Sequence, residues 1–289
     1  MDESTLVYRM ALIHSSSYGE SQLRVLRVVR RGDRDDPQDL TIALRFDGDF
    51  AAAFREGDAA GLLPGEALKN LVYKVARQER FAAIETLGLA LCDRILQQHS
   101  QVGRVRVEIS QQPWARVDAG GKAQGQAFTP AGPERRTTTI VSNGTRASVS
   151  SGIEDLVLMR TSGLAPPRAD ADDFTADALQ RLLLASLSVR WAYTDPDLAF
   201  APYRQGIRQA VVETFACHAR RSVQHTLYAI GDVILGSYPE ISDVTLALQE
   251  RPYRPADLLE LSLDADALFV AHDEPVGTVE VTVTREPPS

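Results

Sequence analysis

The side chains best suited to acid–base, nucleophilic or metal chemistry are scattered along this 289-residue chain. Its five histidines are His14, His99, His218, His225 and His272, and each reads as a structural or exposed residue. His218 and His225 stand seven apart, so they share a helix face only if one helix runs unbroken through Arg220 and Arg221. Cys92 and Cys217 lie far apart in helix-like segments. They make neither a disulfide framework nor a zinc site, which suits a reducing, cytoplasmic setting. No Gly-rich dinucleotide loop, Walker A motif, HExxH or nucleophile elbow is present. The expectation is an enzyme or binding protein with no metal and no cofactor.

Elements must position whatever site exists. Leu23–Val29 and Leu40–Phe46 read as strands of a hairpin around a charged turn. Pro64-Gly65 marks a turn, after which Glu66 opens a helix with Leu68, Val72, Val75 and Ala76 on one face. A second helix carries Ile84, Leu87, Leu89, Leu91, Ile95 and Leu96. Val102–Ile109 alternates as a strand with Arg104, Arg106 and Glu108 on one side, and Trp114–Val117 continues it. A Gly-rich turn spans Ala119 to Gly125. Thr137–Val141, Ala147–Ser150 and Val157–Arg160 read as three strands. A loop rich in Pro and Asp precedes a helix expected from Thr175 to Trp191, with Leu179, Leu182, Leu183 and Leu187 on one face. A short strand or helix around Val211 follows, then a helix from Ser222 to Leu235 and strands at Val244–Leu248 and Val276–Val283.

This order is not an alternating βαβ pattern, so a parallel doubly wound sheet is disfavoured. The fold class expected is α+β, with antiparallel sheets and helices on one face. The halves look alike, which suggests a duplication with domains at 1–145 and 146–289. Hydrophobic residues at 44% and charged residues at 24% are ordinary for a globular protein. No apolar run is long enough for a membrane helix, and no membrane association is expected. The first residues do not resemble a secretory signal. The net charge of −8 repels polyphosphate. The basic run Arg24, Arg27, Arg30 and Arg31 alternates with apolar residues and reads as an exposed strand face, so no nucleic-acid partner is expected.

Several segments carry a resemblance. Tyr18-Gly19-Glu20-Ser21 is similar to a Tyr-Gly-Lys-Ser opening. Leu63 to Tyr73 is similar to a Leu-Pro-Thr-Asp segment that leads into a helix. Val102 to Val117, the approach from Arg181 to Trp191, Ser222 to Tyr228 and Leu235 to Leu248 follow in the same order. Together they resemble the cofactor-independent urate oxidases, or uricases, from about residue 8 to 285. The resemblance implies two tandem T-fold (tunnelling) domains and a homo-oligomer, a tetramer with active sites between subunits. It also implies O2 as co-substrate and a small purine-like substrate.

By the same resemblance, the clamp on the purine edge falls at Arg181 and Gln224, with Val223 beside them. A guanidinium fork and a carboxamide suit the edge of a flat heterocycle. The relay differs. Where the family has Lys, Thr and Asp, this chain has Glu20, Gly65 and Glu66. The family's Asn and His fall at Glu250 and Pro252, and its stacking Phe falls near Pro166. Two readings follow. One is an altered oxidase in which Glu20, Glu66 and Glu250 form the catalytic half and favour a ring bearing N–H or amine donors, as in 8-oxoguanine. Carboxylates sharing such a site would raise one pKa and supply a base. The other is an inactive homologue that binds a purine or serves a structural role. Taken singly, each carboxylate also reads as a solvated loop charge.

Overall fold

A computed structural model describes residues 12–79, 81–161, 182–218, 222–251, 253–256, 268–271 and 277–285. Strands β1 (Ser17–Arg31) and β2 (Arg34–Gly48) form the expected hairpin, with Arg31 opposite Arg34 across a turn at Gly32. The short helix α1 (Ala51–Arg55) leads to α2 (Gly65–Gln78) and α3 (Ile84–Gln98). The buried residues of α2 are Leu68, Val72, Val75 and Ala76, the stripe that its spacing marks. Strands β3 (Val102–Gln112), β4 (Trp114–Ala119), β5 (Lys122–Pro130) and β6 (Arg135–Ser142) complete the first half.

The second half holds β7 (Ala147–Arg160), β8 (Leu183–Tyr193), α4 (Phe200–Cys217) and α5 (Val223–Ser237). It closes with β9 (Ile241–Glu250), β10 (Tyr253–Pro255), β11 (Phe269–Ala271) and β12 (Thr278–Thr284). The order β-β-α-α-β-β thus occurs twice, each time with a two-stranded ribbon before the last strand: β4–β5, then β10–β11. Eight strands make one antiparallel sheet in the order β1-β2-β3-β6-β7-β8-β9-β12. This is the tandem T-fold architecture.

One register carries the core across the whole sheet. Phe46 opposes Val105, Leu44 opposes Val107, and Val107 opposes Ile140. Ile140 faces Val149, Ile153 faces Val189, and Val189 faces Leu246. Opposed residues lie on the same face, and these belong to a single buried cluster that includes the inner stripes of α2, α3, α4 and α5. All four helices therefore cover one face. The other face presents Arg45, Arg106, Thr139, Arg190 and Thr245. Gly88 sets the closeness of the two layers: a Cβ there would collide with Ile140 Cδ1, so α3 lies directly on β6.

Four expectations are corrected. The helix expected from Thr175 to Trp191 is instead strand β8, as far as it is described; its first part, Thr175–Arg181, lies outside the described residues. Leu183 and Leu187 are four apart, a spacing that fits both a helix face and a period of two. Ala185, Val189, Trp191 and Tyr193 are buried in the same alternation, and a β-branched and aromatic run favours the strand. Ala147–Ser150 and Val157–Arg160 are one strand, β7, kinked by an irregularity between Ile153 and Leu156 where Asp155 has φ 55. The Gly-rich turn is confined to Gly120-Gly121, and Lys122 already begins β5. The ambiguous segment around Val211 is the 18-residue helix α4. The loop through Pro166 lies outside the described residues.

Candidate active site

The first group of candidate residues gathers where β1 meets the start of α2. Tyr18 packs against Phe46 and Phe50, with ring centroids 5.2 and 4.7 Å away. Its hydroxyl accepts a hydrogen bond from Leu63 N at 2.8 Å, which ties the Leu63-Pro64 segment to β1. Gly19 is needed because a Cβ there would overlap the Leu44 backbone. The chain then presents Glu20 over Gly65. A Cβ on Gly65 would lie 2.5 Å from Glu20 Oε1 and 3.2 Å from its Cδ, so the carboxyl group occupies the space that any larger residue at 65 would need. Glu66 is the next residue, and its carboxylate is ion-paired with Lys69 at 3.0 Å. Both carboxylates stand at the N-terminal turn of α2, where the helix dipole favours negative charge.

Lys69 is the residue that sequence reasoning missed. Its ammonium is held above the usual lysine range by the hydrogen bond and charge of Glu66, with a smaller contribution from Glu20. The signal was available: Glu66 and Lys69 are three apart on a helix, a spacing that brings side chains together. A cleft of about 500 Å³ opens beside Glu20 on the helix-free face, lined by Ser21, Arg45, Arg106 and Glu108. Arg106 is ion-paired with Glu108 at 2.5 Å.

The second group lies at the far end of the other half. Ser222 caps α5, its Oγ accepting from His225 N at 3.1 Å. This fixes the first turn, which carries Val223, half-buried against the core, and Gln224, exposed. Arg181 and Pro252 lie outside the described residues. Glu250 ends β9 opposite Ala185 near the start of β8, and its N–H donates to Gly277 O at 3.0 Å. At that same end Arg160 pairs with Leu183 and donates to the carbonyls of Phe215 and His218 at 3.4 and 3.2 Å. His218 in turn stacks on His225, centroids 4.8 Å apart and planes 33° from parallel. The helix is broken between them, α4 ending at Cys217 and α5 starting at Val223, so the contact is tertiary rather than one helix face.

Within one chain these groups do not meet. β1 and β8 are five steps apart in the sheet, about 24 Å at the spacing of neighbouring strands. Among the described residues no cluster of three or more His, Cys, Asp or Glu could hold a metal ion. No helix among them is long and apolar enough to cross a membrane.

A family model described as Uricase matches residues 17–141 and 149–280, one segment for each half. The chain belongs to the uricase family. It is 27% identical to the uricase of Arthrobacter globiformis over 278 residues, covering 95% of this chain and 90% of that one. It is 26% identical to the Danio rerio uricase over 281 residues, covering 94% of each. The crystal structure of the Arthrobacter globiformis uricase superposes with a TM-score of 0.86, covering 97% of both chains. A uricase from Bacillus fastidious, 20% identical, shares the fold at a TM-score of 0.79. Uricases are oxidoreductases that use O2 as co-substrate without a cofactor.

Proposed function

We propose that this chain is a cofactor-independent, O2-dependent oxidase of a purine-like heterocycle other than urate, for example 8-oxoguanine. The observation that carries the reading is the Glu20 carboxyl seated over Gly65, at the positions where the family resemblance sets Lys and Thr. A carboxylate there accepts a hydrogen bond or proton from a ring N–H or exocyclic amine, and repels a urate anion. Glu20 is the freer candidate base, because Glu66 is engaged by Lys69. Gln224, projecting from the capped first turn of α5, grips the opposite edge together with Arg181 and Val223. Glu250 lines the O2 side. Much of the reactivity belongs to the electron-rich ring, which passes electrons to O2 once deprotonated. The protein's task is proton transfer, orientation and exclusion of water.

The active molecule is a homotetramer with its sites between subunits. Two observations support this. Glu20 lies on edge strand β1, whereas the helix α5 that carries Gln224 packs on β9 and β12 at the opposite end of the sheet. The sheet also ends in β1 and β12, whose outer edges pair with no described strand. The site then takes Glu20, Gly65 and Glu66 from one chain and Arg181 with Gln224 from its neighbour. The two domains are 1–145 and 146–289, divided in the turn between β6 and β7.

A second reading is a purine-binding homologue without chemistry. It is favoured by the Glu66–Lys69 pair, which occupies one of the two candidate bases. The test is oxygen uptake with urate, 8-oxoguanine, guanine and xanthine, repeated with Glu20→Gln. Uptake with 8-oxoguanine, guanine or xanthine but little with urate, lost in the variant, supports the oxidase. Efficient uptake with urate overturns the altered substrate. Tight purine binding without uptake selects the second reading.

A further inference from the structure

A cationic cavity lies away from these residues, at the joint between the two halves of the sheet. Arg136 on β6 stands directly opposite Ile153 on β7. Above them α4 contributes Arg204, Gln205 and Arg208, and Glu134 closes one side of a cavity of about 260 Å³. That is several times the ~30 Å³ share of one liquid water.

Three guanidinium groups therefore meet one carboxylate, and that carboxylate is already engaged. Arg208 Nε donates to both Glu134 oxygens at 2.9 Å, and its Nη2 donates to Oε2 at 2.8 Å. The guanidinium groups of Arg136 and Arg204 have no hydrogen bond or ion pair to any described residue. Arg204 is only 8% exposed, and its buried Nη1 lacks a hydrogen-bond partner. Burial, and then the charge of Arg204, lowers the Arg136 pKa; Arg208 adds to the shift, and the more distant carboxylates of Glu134 and Asp36 oppose it. A buried guanidinium left without a counter-charge is costly. Arg204 is the buried one, and with the half-buried Arg136 beside it an anion held between the two offsets that cost.

The geometry points to a binding site for a small tetrahedral oxyanion, a phosphate or phosphoryl group, held between Arg136 and Arg204 with Gln205 alongside. Each planar guanidinium offers paired N–H donors matched to two oxygens of such an anion. An oxyanion sets a separate oxygen on each donor of a fork, whereas a monatomic ion must share one acceptor between them. The Glu134–Arg208 clasp forms a fixed wall, so the anion meets two free cations rather than three. The site is independent of the chemistry performed at Glu20, because neither Glu20 nor Gln224 touches it.

The experiment is calorimetric titration of the purified oligomer with inorganic phosphate, glycerol phosphate and chloride at constant ionic strength. The expected result is saturable phosphate binding in the millimolar range or tighter, weakened at least about tenfold by Arg136→Gln and by Arg204→Gln. Arg146→Gln, an exposed arginine elsewhere, should leave it unchanged. Arg136→Gln alters a less buried side chain, so it keeps the test decisive if Arg204→Gln fails to fold. Tighter binding of glycerol phosphate identifies an organic phosphoryl group as the source, and tighter binding of phosphate identifies the free ion. Either outcome upholds the site. Absence of saturable phosphate binding, equal affinity in Arg136→Gln, or the same response to chloride overturns it.

Discussion

Gly88→Ala tests the closest contact between a helix and the sheet. In an open helix interior alanine is favoured over glycine by about 1 kcal/mol. Here the new methyl would overlap Ile140 Cδ1 and stand 3.1 Å from its Cγ1 and 3.6 Å from Ile109 Cδ1. Ile140 is fully buried between Val107 and Val149, so its end cannot swing into solvent. Overpacking of this kind costs about 1–3 kcal/mol. The two effects leave Gly88→Ala destabilised by about 1 kcal/mol. Ile140→Val alone should cost ~0.5–1.5 kcal/mol, because it deletes the Cδ1 methyl. In the double variant the alanine methyl takes the room that Cδ1 vacates. The pair should therefore be less destabilised than the sum of its parts by about 1–2 kcal/mol. Urea unfolding of the four proteins at one protein concentration measures this coupling. Additivity within about 0.5 kcal/mol, or a gain in stability from Gly88→Ala alone, would refute the packing argument.

Other perturbations have equally direct readouts. Ser222→Ala removes the α5 cap and should cost about 1 kcal/mol by thermal or urea unfolding; it should also weaken purine binding, since Gln224 stands two residues later. A disulfide reagent should label the exposed Cys217 quickly and leave Cys92 untouched until the protein unfolds, because burial pushes the Cys92 thiol up to about 12. Burial, with the nearby Glu85 charge, pushes the Tyr193 phenol from 10.0 up to about 12. The folded state favours the neutral phenol, so its contribution is complete below pH 10 and is lost as pH rises through about 12. The loss should be on the order of 2–3 kcal/mol in a pH series of urea midpoints. Tyr193→Phe should remove that part of the alkaline decline, and Cys92 accounts for an overlapping part that starts from 9.0.

Much of the fold is legible in local pattern. The stripe Leu68, Val72, Val75 and Ala76, the alternation through Val105, Val107 and Ile109, and the Ser222 cap each follow from rules that act within a few residues. The β-β-α-α-β-β order of the first half is visible for the same reason. The segment at Leu183–Leu187 was misread because a spacing of four satisfies both periods; only pairing with β7 on one side and β9 on the other makes it a strand. Of the site, the juxtaposition of Glu20, Gly65 and Glu66 was anticipated through the family resemblance, and nothing in composition or spacing alone marked it.

What the tertiary structure decided is what depends on through-space proximity. The Glu20 carboxyl fills the space over Gly65, 45 residues away, because Tyr18 ties the Leu63 segment to β1. His218 stacks on His225 across a break between two helices. Arg136, Arg204 and Arg208 converge because α4 lies over the β6–β7 joint. None of these contacts has a sequence period, since each joins elements whose separation along the chain is set by loops. Local propensity determined most of the helices and strands, β8 excepted, while burial of one continuous apolar face determined which charges were brought together.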